Sequence, residues 1–505
     1  MKVCKWLIVR GSARLIAAFL LMLVLLPAEL AHAAPEPETE IAQAQQQDEF
    51  AQWFEEFKTS ASDRQLYEFL YHMPKGGDLH NHLSGSAFPD WWYRAALEEA
   101  ERGYEYYTKV RIQNCLALDE HSPPYMPYYL LYRNITALEY ERLNECEKSE
   151  YKPLADLSRA EINAWQNSLR LDKPTEGRHE FFETHWQRLN ALFRNPHLMA
   201  EMLYQNMRAF SQEGVLYLET QISVEGLQRP SGEFFSAQEV ADIYRARLAQ
   251  EDALATGVEV RFQLAILRFS RSAEEDLKRS YAFIHNNPDR WVAINMVGRE
   301  DNDKGHPLRF LATLRELRRK FFGVNLSIHA GEVDEPNYHV RDTLLLGAQR
   351  IGHGVNLISD PDTLLLMRNG PYLVEINLVS NLLLEYVSDY SQHPFPEYLR
   401  LGVPVALSTD DRGMWDSQIT DEFFVAVKEY DLSWPELQQL HKNSLQYAFV
   451  SDAVKQTLLD QHQIATQAFS QSIMQMGLSD NAFGAAPSAF ICRTYKLCEE
   501  PAEAI

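Results

Sequence analysis

Val405-Ala-Leu-Ser-Thr-Asp410-Asp411 is an apolar run of strand length that ends in two adjacent carboxylates. Two neighbouring charges closing a buried strand cost desolvation energy unless a ligand or a metal uses them. The same grammar recurs upstream. Gly77 to Leu83 carries His80 and His82, Val324-Asn-Leu-Ser-Ile leads into His329-Ala-Gly-Glu332, and Arg350-Ile-Gly-His353-Gly sets a histidine between glycines. Val215 to Gln221, Val258 to Leu267, Trp291 to Val297 and Tyr372 to Ile376 are further β-branched or apolar runs, and helical segments separate them. Eight strands alternating with helices predict a parallel sheet closed into a (β/α)8 TIM barrel. Such a barrel carries its chemistry at the carboxyl ends of its strands. His80, His82, Glu219, Asn295, His329, His353, Glu375 and Asp410 all fall late in, or just after, these runs.

His80 and His82 are two residues apart, which on a strand puts both imidazoles on one face, where they can share a metal. His329 ends its strand and can supply a third ligand. Glu332, one turn later, can reach a substrate, although a carboxylate there also suits the start of the next helix. His353 suits a base acting on water or an electrostatic orienter. Asp410 can bind the metal and Asp411 a substrate. Three imidazoles and a carboxylate suit one Zn2+ per chain, with a water in the remaining position. The run Trp291-Val-Ala-Ile-Asn-Met-Val has no lysine to bridge a second metal.

The chain ends and composition bound the setting. Lys2, Lys5, Arg10 and Arg14 precede the apolar run Leu15 to Leu26, with Pro27 and Ala31-His32-Ala33 after it. This is the pattern of a signal peptide spanning 1–33, cleaved near Ala33. The apolar core is too short for a lasting membrane span, so no stable anchor is expected after cleavage. The protein is thus expected to be exported, to a periplasm or to the medium. Removing four basic residues and Glu29 moves the net charge from −23 to −26. So acidic a surface repels phosphate backbones, which argues against a nucleic-acid partner. Residues 34–72 read as a flexible polar leader followed, from about Phe50, by an N-terminal helical segment. The barrel is expected over 73–480, interrupted after its first strand by a mostly helical insertion at about 100–180, and 481–505 is a C-terminal tail. Cys115, Cys146, Cys492 and Cys498 remain after cleavage and allow three pairings, of which the two local ones, Cys115–Cys146 and Cys492–Cys498, are favoured.

Met73-Pro-Lys-Gly, His80-Asn-His-Leu, His329-Ala-Gly-Glu, Arg350-Ile-Gly-His-Gly, Ser380-Asn381 with His393-Pro394, Ser408-Thr-Asp-Asp and Asn443-Ser-Leu occur in that order over roughly 70–455. As a set they resemble the adenosine deaminase family of metal-dependent amidohydrolases. The signal peptide and the cysteine-bearing insertion look most like its secreted growth-factor branch, which implies dimers. The resemblance implies that His80, His82, His329 and Asp410 bind zinc, that Glu332 gives a proton to purine N1, and that His353 assists the water. It further implies that Asp411 binds N7 and that the backbone N–H of Gly298 meets N3. Hydroxide would then attack C6 and expel ammonia, converting adenosine or 2′-deoxyadenosine to the inosine product.

Two departures bear on the substrate. Ser84 stands where many members carry an aspartate that contacts the ribose 5′-hydroxyl, and Glu375-Ile-Asn-Leu-Val-Ser-Asn lacks a frequent Cys-Pro. The small-molecule partner is therefore a purine nucleoside, with an adenine or modified-purine deaminase as the alternative enzyme. A secreted, non-catalytic growth-factor-like binding module is the non-enzymatic alternative.

Overall fold

In the computed structural model the described residues are 37–113, 115, 130–301, 303–333, 335–476 and 487–498. The chain divides into two units, residues 1–53 and 54–505. The second holds Lys75–His82 (β1), Tyr106–Lys109 (β2), Asn134–Thr136 (β3), Tyr151–Pro153 (β4), Val215–Ile222 (β5), Glu259–Leu267 (β6), Trp291–Val297 (β7), Asn325–Ala330 (β8), Arg350–His353 (β9), Leu373–Ile376 (β10) and Val405–Leu407 (β11). Eight of these form one parallel sheet in the order β1-β5-β6-β7-β8-β9-β10-β11. Each lies within two residues of its expected place, so the (β/α)8 barrel stands as the sequence implies.

The barrel closes where β11 meets β1. Asn81 bridges Asp410 in parallel, the Asp410 N–H donates to the His80 carbonyl at 2.9 Å, and the His82 N–H donates to the Asp410 carbonyl at 3.2 Å. Asp78 reinforces this seam by accepting from the Thr409 N–H at 3.1 Å and the Thr409 hydroxyl at 2.6 Å. At the opposite end, Ser444 Oγ accepts from the Gly77 N–H at 2.7 Å and Asn443 donates to the Val405 carbonyl at 2.8 Å. The Asn-Ser of the helix Trp434–Gln446 thus ties the bottoms of β1 and β11 together. Lys75, in the Met-Pro-Lys-Gly lead-in, donates to the carbonyls of Leu70 (2.6 Å), Tyr71 (3.2 Å), Met73 (3.2 Å) and Glu213 (2.8 Å). It thereby satisfies carbonyls left open at the end of the helix Asp63–His72.

The interior of the barrel is polar and ion-paired in its middle. Arg350 binds Glu219 at 2.5 Å and Glu375 at 2.6 Å, and Gln263 donates to Glu219 at 2.9 Å. All four side chains are buried. A buried ionic layer of this kind costs desolvation energy, which the opposed charges of Arg350 with Glu219 and Glu375 offset. One apolar cluster outside it joins Leu79, Tyr217, Leu373 and Ala406 to Leu445, Ala448 and Leu458 of the outer helices.

Three expectations need correction or completion. The insertion after β1 is not without strands: β3-β2-β4 form a small antiparallel sheet among its short helices. Tyr106-Tyr-Thr-Lys is a β-prone run masked by its acidic flanks. The leader is helical from Pro37, where a single helix Pro37–Ser60 begins, because its Ala, Gln and Glu content favours helix. The local pairings Cys115–Cys146 and Cys492–Cys498 are those observed. In the tail, the Phe490 N–H donates to the Asp416 carbonyl at 3.0 Å and Ser488 Oγ donates to Asp421 at 2.5 Å, so residues 487–498 dock on the barrel. The signal-peptide residues 1–33 lie outside the described ones. Among the described residues, no helix is long and apolar enough to cross a membrane.

Candidate metal and catalytic site

At the carboxyl mouth of the barrel four side chains converge. His80 Nε2 is 3.0 Å from His329 Nε2, and His82 Nε2 is 3.2 Å from that same atom. Asp410 Oδ1 is 3.2 Å from His82 Nε2 and 3.6 Å from His80 Nε2. Hydrogen-bond direction decides what occupies the middle. Glu375 Oε2, an acceptor only, is 2.8 Å from His80 Nδ1, so the proton of His80 sits on Nδ1 and its Nε2 presents a lone pair. A longer chain fixes His329. Gln263 donates to the Leu79 carbonyl at 3.1 Å and to Glu219, which turns its oxygen toward the Asn295 amide nitrogen at 3.0 Å. The Asn295 oxygen then accepts from His329 Nδ1 at 2.8 Å. Two lone pairs and a carboxylate oxygen therefore point at one place, where a cation would hold all three together.

The spacing agrees. A tetrahedron with metal–ligand bonds of about 2.0–2.1 Å has edges of about 3.3 Å, and the separations here run from 3.0 to 3.6 Å. His80, His82, His329 and Asp410 fit a first-row divalent cation such as zinc. Asp410 is held by Ser380 Oγ, which donates to Oδ2 at 2.7 Å. Asp410 and His353 both have left-handed backbones, with φ of 54° and 65°. Such a conformation costs of order 1–3 kcal/mol at a non-glycine residue and persists where the surroundings enforce it.

Glu332 and His353 face each other beside the cluster, with Glu332 Oε1 3.7 Å from His353 Nε2. Burial, followed by the charges of Asp410 and Glu300, pushes the Glu332 carboxyl well above its usual range. Burial likewise drives His353 and His329 well below the usual imidazole range. Burial works to raise Asp410, but the hydrogen bond and charge of His82 outweigh it and hold that carboxyl low. Asp411 moves the other way, raised by burial and then by the charges of Asp410 and Glu332. The adjacent carboxylates thus differ in character, and the buried Oδ1 of Asp411 has no hydrogen-bond partner in the protein.

Ser84 lies half-buried on the short helix Leu83–Ser86. The next residue, Gly85, touches Asp411 so closely that a Cβ there would overlap the carboxylate. Gly298 follows β7 with φ of 90°, and a Cβ on it would come within 2.8 Å of Leu267 and Phe269. Close approach therefore demands glycine at both positions. The residues joined directly by distance are the four around the cation place and the pair Glu332–His353; Ser84 sits on the short helix after β1 and Gly298 just after β7.

Several residues of the site carry no signal in the sequence beyond their position at strand ends. Glu300 accepts from the Gly331 and Glu332 N–H groups at 2.9 Å each and from His339 at 2.6 Å, which clamps the His-Ala-Gly-Glu turn. Arg268 donates to the Met296 carbonyl at 2.7 Å and the His329 carbonyl at 2.6 Å. Segment Arg178–Leu189 covers the mouth. Arg178 donates to the Leu384 carbonyl at 3.1 Å and stacks on Tyr386, Phe181 packs on Trp415, and the Trp186 ring lies 6.5 Å from that of His82.

The fold and site define a (β/α)8 barrel with a His/Asp cluster at its carboxyl mouth that could hold a metal ion. Solved structures agree on the fold. An adenine deaminase from Arthrobacter aurescens superposes with a TM-score of 0.57 at 18% identity, over 78% of this chain and 99% of that one. An amidohydrolase from Burkholderia ambifaria with bound Zn gives 0.57 at 18%, over 80% and 94%. Arabidopsis ADAL complexed with GMP gives 0.56 at 20%, over 79% and 99%. The family model for adenosine deaminase matches residues 151–465. The chain belongs to the adenosine deaminase family. Adenosine deaminase of Serratia proteamaculans is 34% identical over 143 residues, 28% of this chain and 43% of that protein. The Enterococcus faecalis enzyme is 36% identical over 135 residues, 27% and 40%. The matched region thus spans less than half the length of these relatives.

Proposed function

We propose that the protein is an exported, metal-dependent deaminase of 6-aminopurines that acts on adenosine and 2′-deoxyadenosine. The observation that carries this reading is the coexistence of a cation place built from His80, His82, His329 and Asp410 with a buried acid pair, Glu332 and Asp411, at its edge. When bound, zinc would supply Lewis acidity that brings a water's pKa toward neutrality.

The protein's own groups do the rest. Replacing the amino group of a 6-aminopurine by oxygen places electron density on ring N1 as C6 is attacked. A protonated Glu332 delivers its proton to N1 and prevents that charge from accumulating. N7 is an acceptor, so Asp411 meets it as a protonated acid. Gly298, bare of a side chain, lets the ring edge approach the backbone. Trp186 beside His82, with Phe181 packed on it and on Trp415, puts apolar surface next to the cluster, where it disfavours water and strengthens these interactions. Export is inferred from the basic and apolar run within residues 1–33.

Ser84 favours a second reading. With no carboxylate to hold a ribose 5′-hydroxyl, adenine itself or a modified adenine nucleoside becomes a candidate substrate. Purified zinc-loaded protein should be offered adenosine, 2′-deoxyadenosine and adenine, with ultraviolet absorbance and ammonia release recorded. Conversion of the two nucleosides is expected. Turnover of adenine alone would move the assignment to the second reading, and inertness toward all three would overturn the enzyme assignment.

A further inference from the structure

The side of His353 turned away from Glu332 meets a buried file of side chains whose polarity can be read from one end. The Phe395 backbone N–H, which can only donate, is 3.1 Å from His393 Nδ1. Burial pushes His393 down to about 3, so it carries a single ring proton. With Nδ1 accepting, that proton is on Nε2, which lies 3.0 Å from Asn381 Oδ1. The opposite orientation of Asn381 would set its amide nitrogen against a ring nitrogen that must itself donate. Asn381 Nδ2 therefore faces His353 and donates to Nδ1 at 2.9 Å. The nearby Asn377 does not disturb this. Its terminal amide lies 3.3 and 3.5 Å from the two ring nitrogens of His353, which places it over the ring face and not in line with either lone pair. With its nitrogen turned inward, it donates to the Ile376 and Ser408 carbonyls at 3.3 and 3.1 Å. All three links of the file are buried.

We propose that His393 and Asn381 are positioning residues that hold neutral His353 as the Nε2–H tautomer. His353 thus donates a hydrogen bond into the site and offers no lone pair there to take a proton. This rests on the deaminase reading only for its catalytic consequence; the tautomer itself follows from the hydrogen bonds. The same short helix, Leu378–Leu383, carries Ser380 to Asp410 and Asn381 to His353. One helical turn after β10 therefore orients both a candidate metal ligand and the neighbouring imidazole. Its first two N–H groups are in turn held by Glu422 at 2.7 and 3.2 Å.

The test is long-range proton–nitrogen correlation spectroscopy on zinc-loaded protein carrying 15N-histidine, with the His353 signals assigned by its absence in His353→Gln. Wild type is expected to show a protonated Nε2 and a bare Nδ1. Asn381→Asp, which replaces the donor by an acceptor, should invert the pattern to Nδ1–H. His393→Leu should leave a mixture of tautomers and lower kcat about tenfold or more, with KM and zinc content within twofold. His393→Gln retains a donor toward Asn381 and should restore the Nε2–H pattern and most of kcat. An Nδ1–H tautomer in the wild type, or an unmixed Nε2–H pattern in both Asn381→Asp and His393→Leu, would overturn the proposal. Should no purine be deaminated, the spectra still decide the tautomer while the deaminase reading fails separately.

Discussion

Replacing Glu375 by Gln removes one charge and leaves the shape almost intact, and the structure sets what that costs. Glu375 accepts from His80 Nδ1 at 2.8 Å and from Ser327 Oγ at 2.8 and 3.0 Å, and its Oε1 forms an ion pair with Arg350, 2.6 Å from Nε. A Gln side chain can keep an oxygen toward only one of them. With the oxygen on His80, its NH2 abuts the Arg350 guanidinium, and that buried cation loses one of its two counter-charges. With the oxygen on Arg350, the NH2 faces His80 Nδ1, and His80 must move its proton to Nε2, where it blocks the metal. Either outcome costs about 1–3 kcal/mol, which is roughly 5- to 150-fold in an equilibrium constant at 1.4 kcal/mol per tenfold. Loss of a carboxylate behind a metal-ligating histidine typically weakens binding 10- to 100-fold, and the two ranges agree. Competition with a fluorescent zinc chelator measures the affinity directly. We expect a fall of about 10- to 100-fold for Glu375→Gln, with activity recovering substantially when zinc is in excess. An unchanged affinity would refute the assignment of His80 as a ligand oriented by Glu375.

Glu332→Gln should bind zinc as tightly as the wild type while losing about 10²- to 10⁴-fold in kcat, measured by adenosine absorbance and metal analysis on the same sample. The neighbouring aspartates should fail differently: Asp410→Ala loses zinc on dialysis, whereas Asp411→Ala keeps a full complement and loses productive substrate binding. Gly352→Ala places a Cβ 2.6 Å from His80 Cε1 and 2.9 Å from its Nδ1. It should weaken zinc affinity without any change at a ligand, and affinity equal to the wild type would show that His80 can yield.

The barrel was legible because its buried parallel strands are short runs of apolar and β-branched residues between helices, and because each ends in a residue that a strand would otherwise avoid. His80, His82, His329 and Asp410 stood out for that reason, and Glu332 and His353 by their place after the same strands. The orienting roles of their neighbours did not, although Asn295 and Glu375 are already among the strand-end residues. Glu375, Asn295 and Ser327 lie at inward positions whose partners come from strands tens of residues away, so their roles depend on register across the sheet. His393 reaches His353 only through Asn381, a relation that no spacing encodes. The insertion misled for a different reason. Its three strands are only three or four residues long, too short for an alternating pattern to emerge.

The most direct test of the central claim is the initial rate of adenosine deamination as zinc is added to metal-free protein. The rate should rise from near zero and break at one zinc per chain. A full rate without metal, or no turnover of adenosine, 2′-deoxyadenosine or adenine at one zinc per chain, would contradict a zinc-dependent purine deaminase built on these residues.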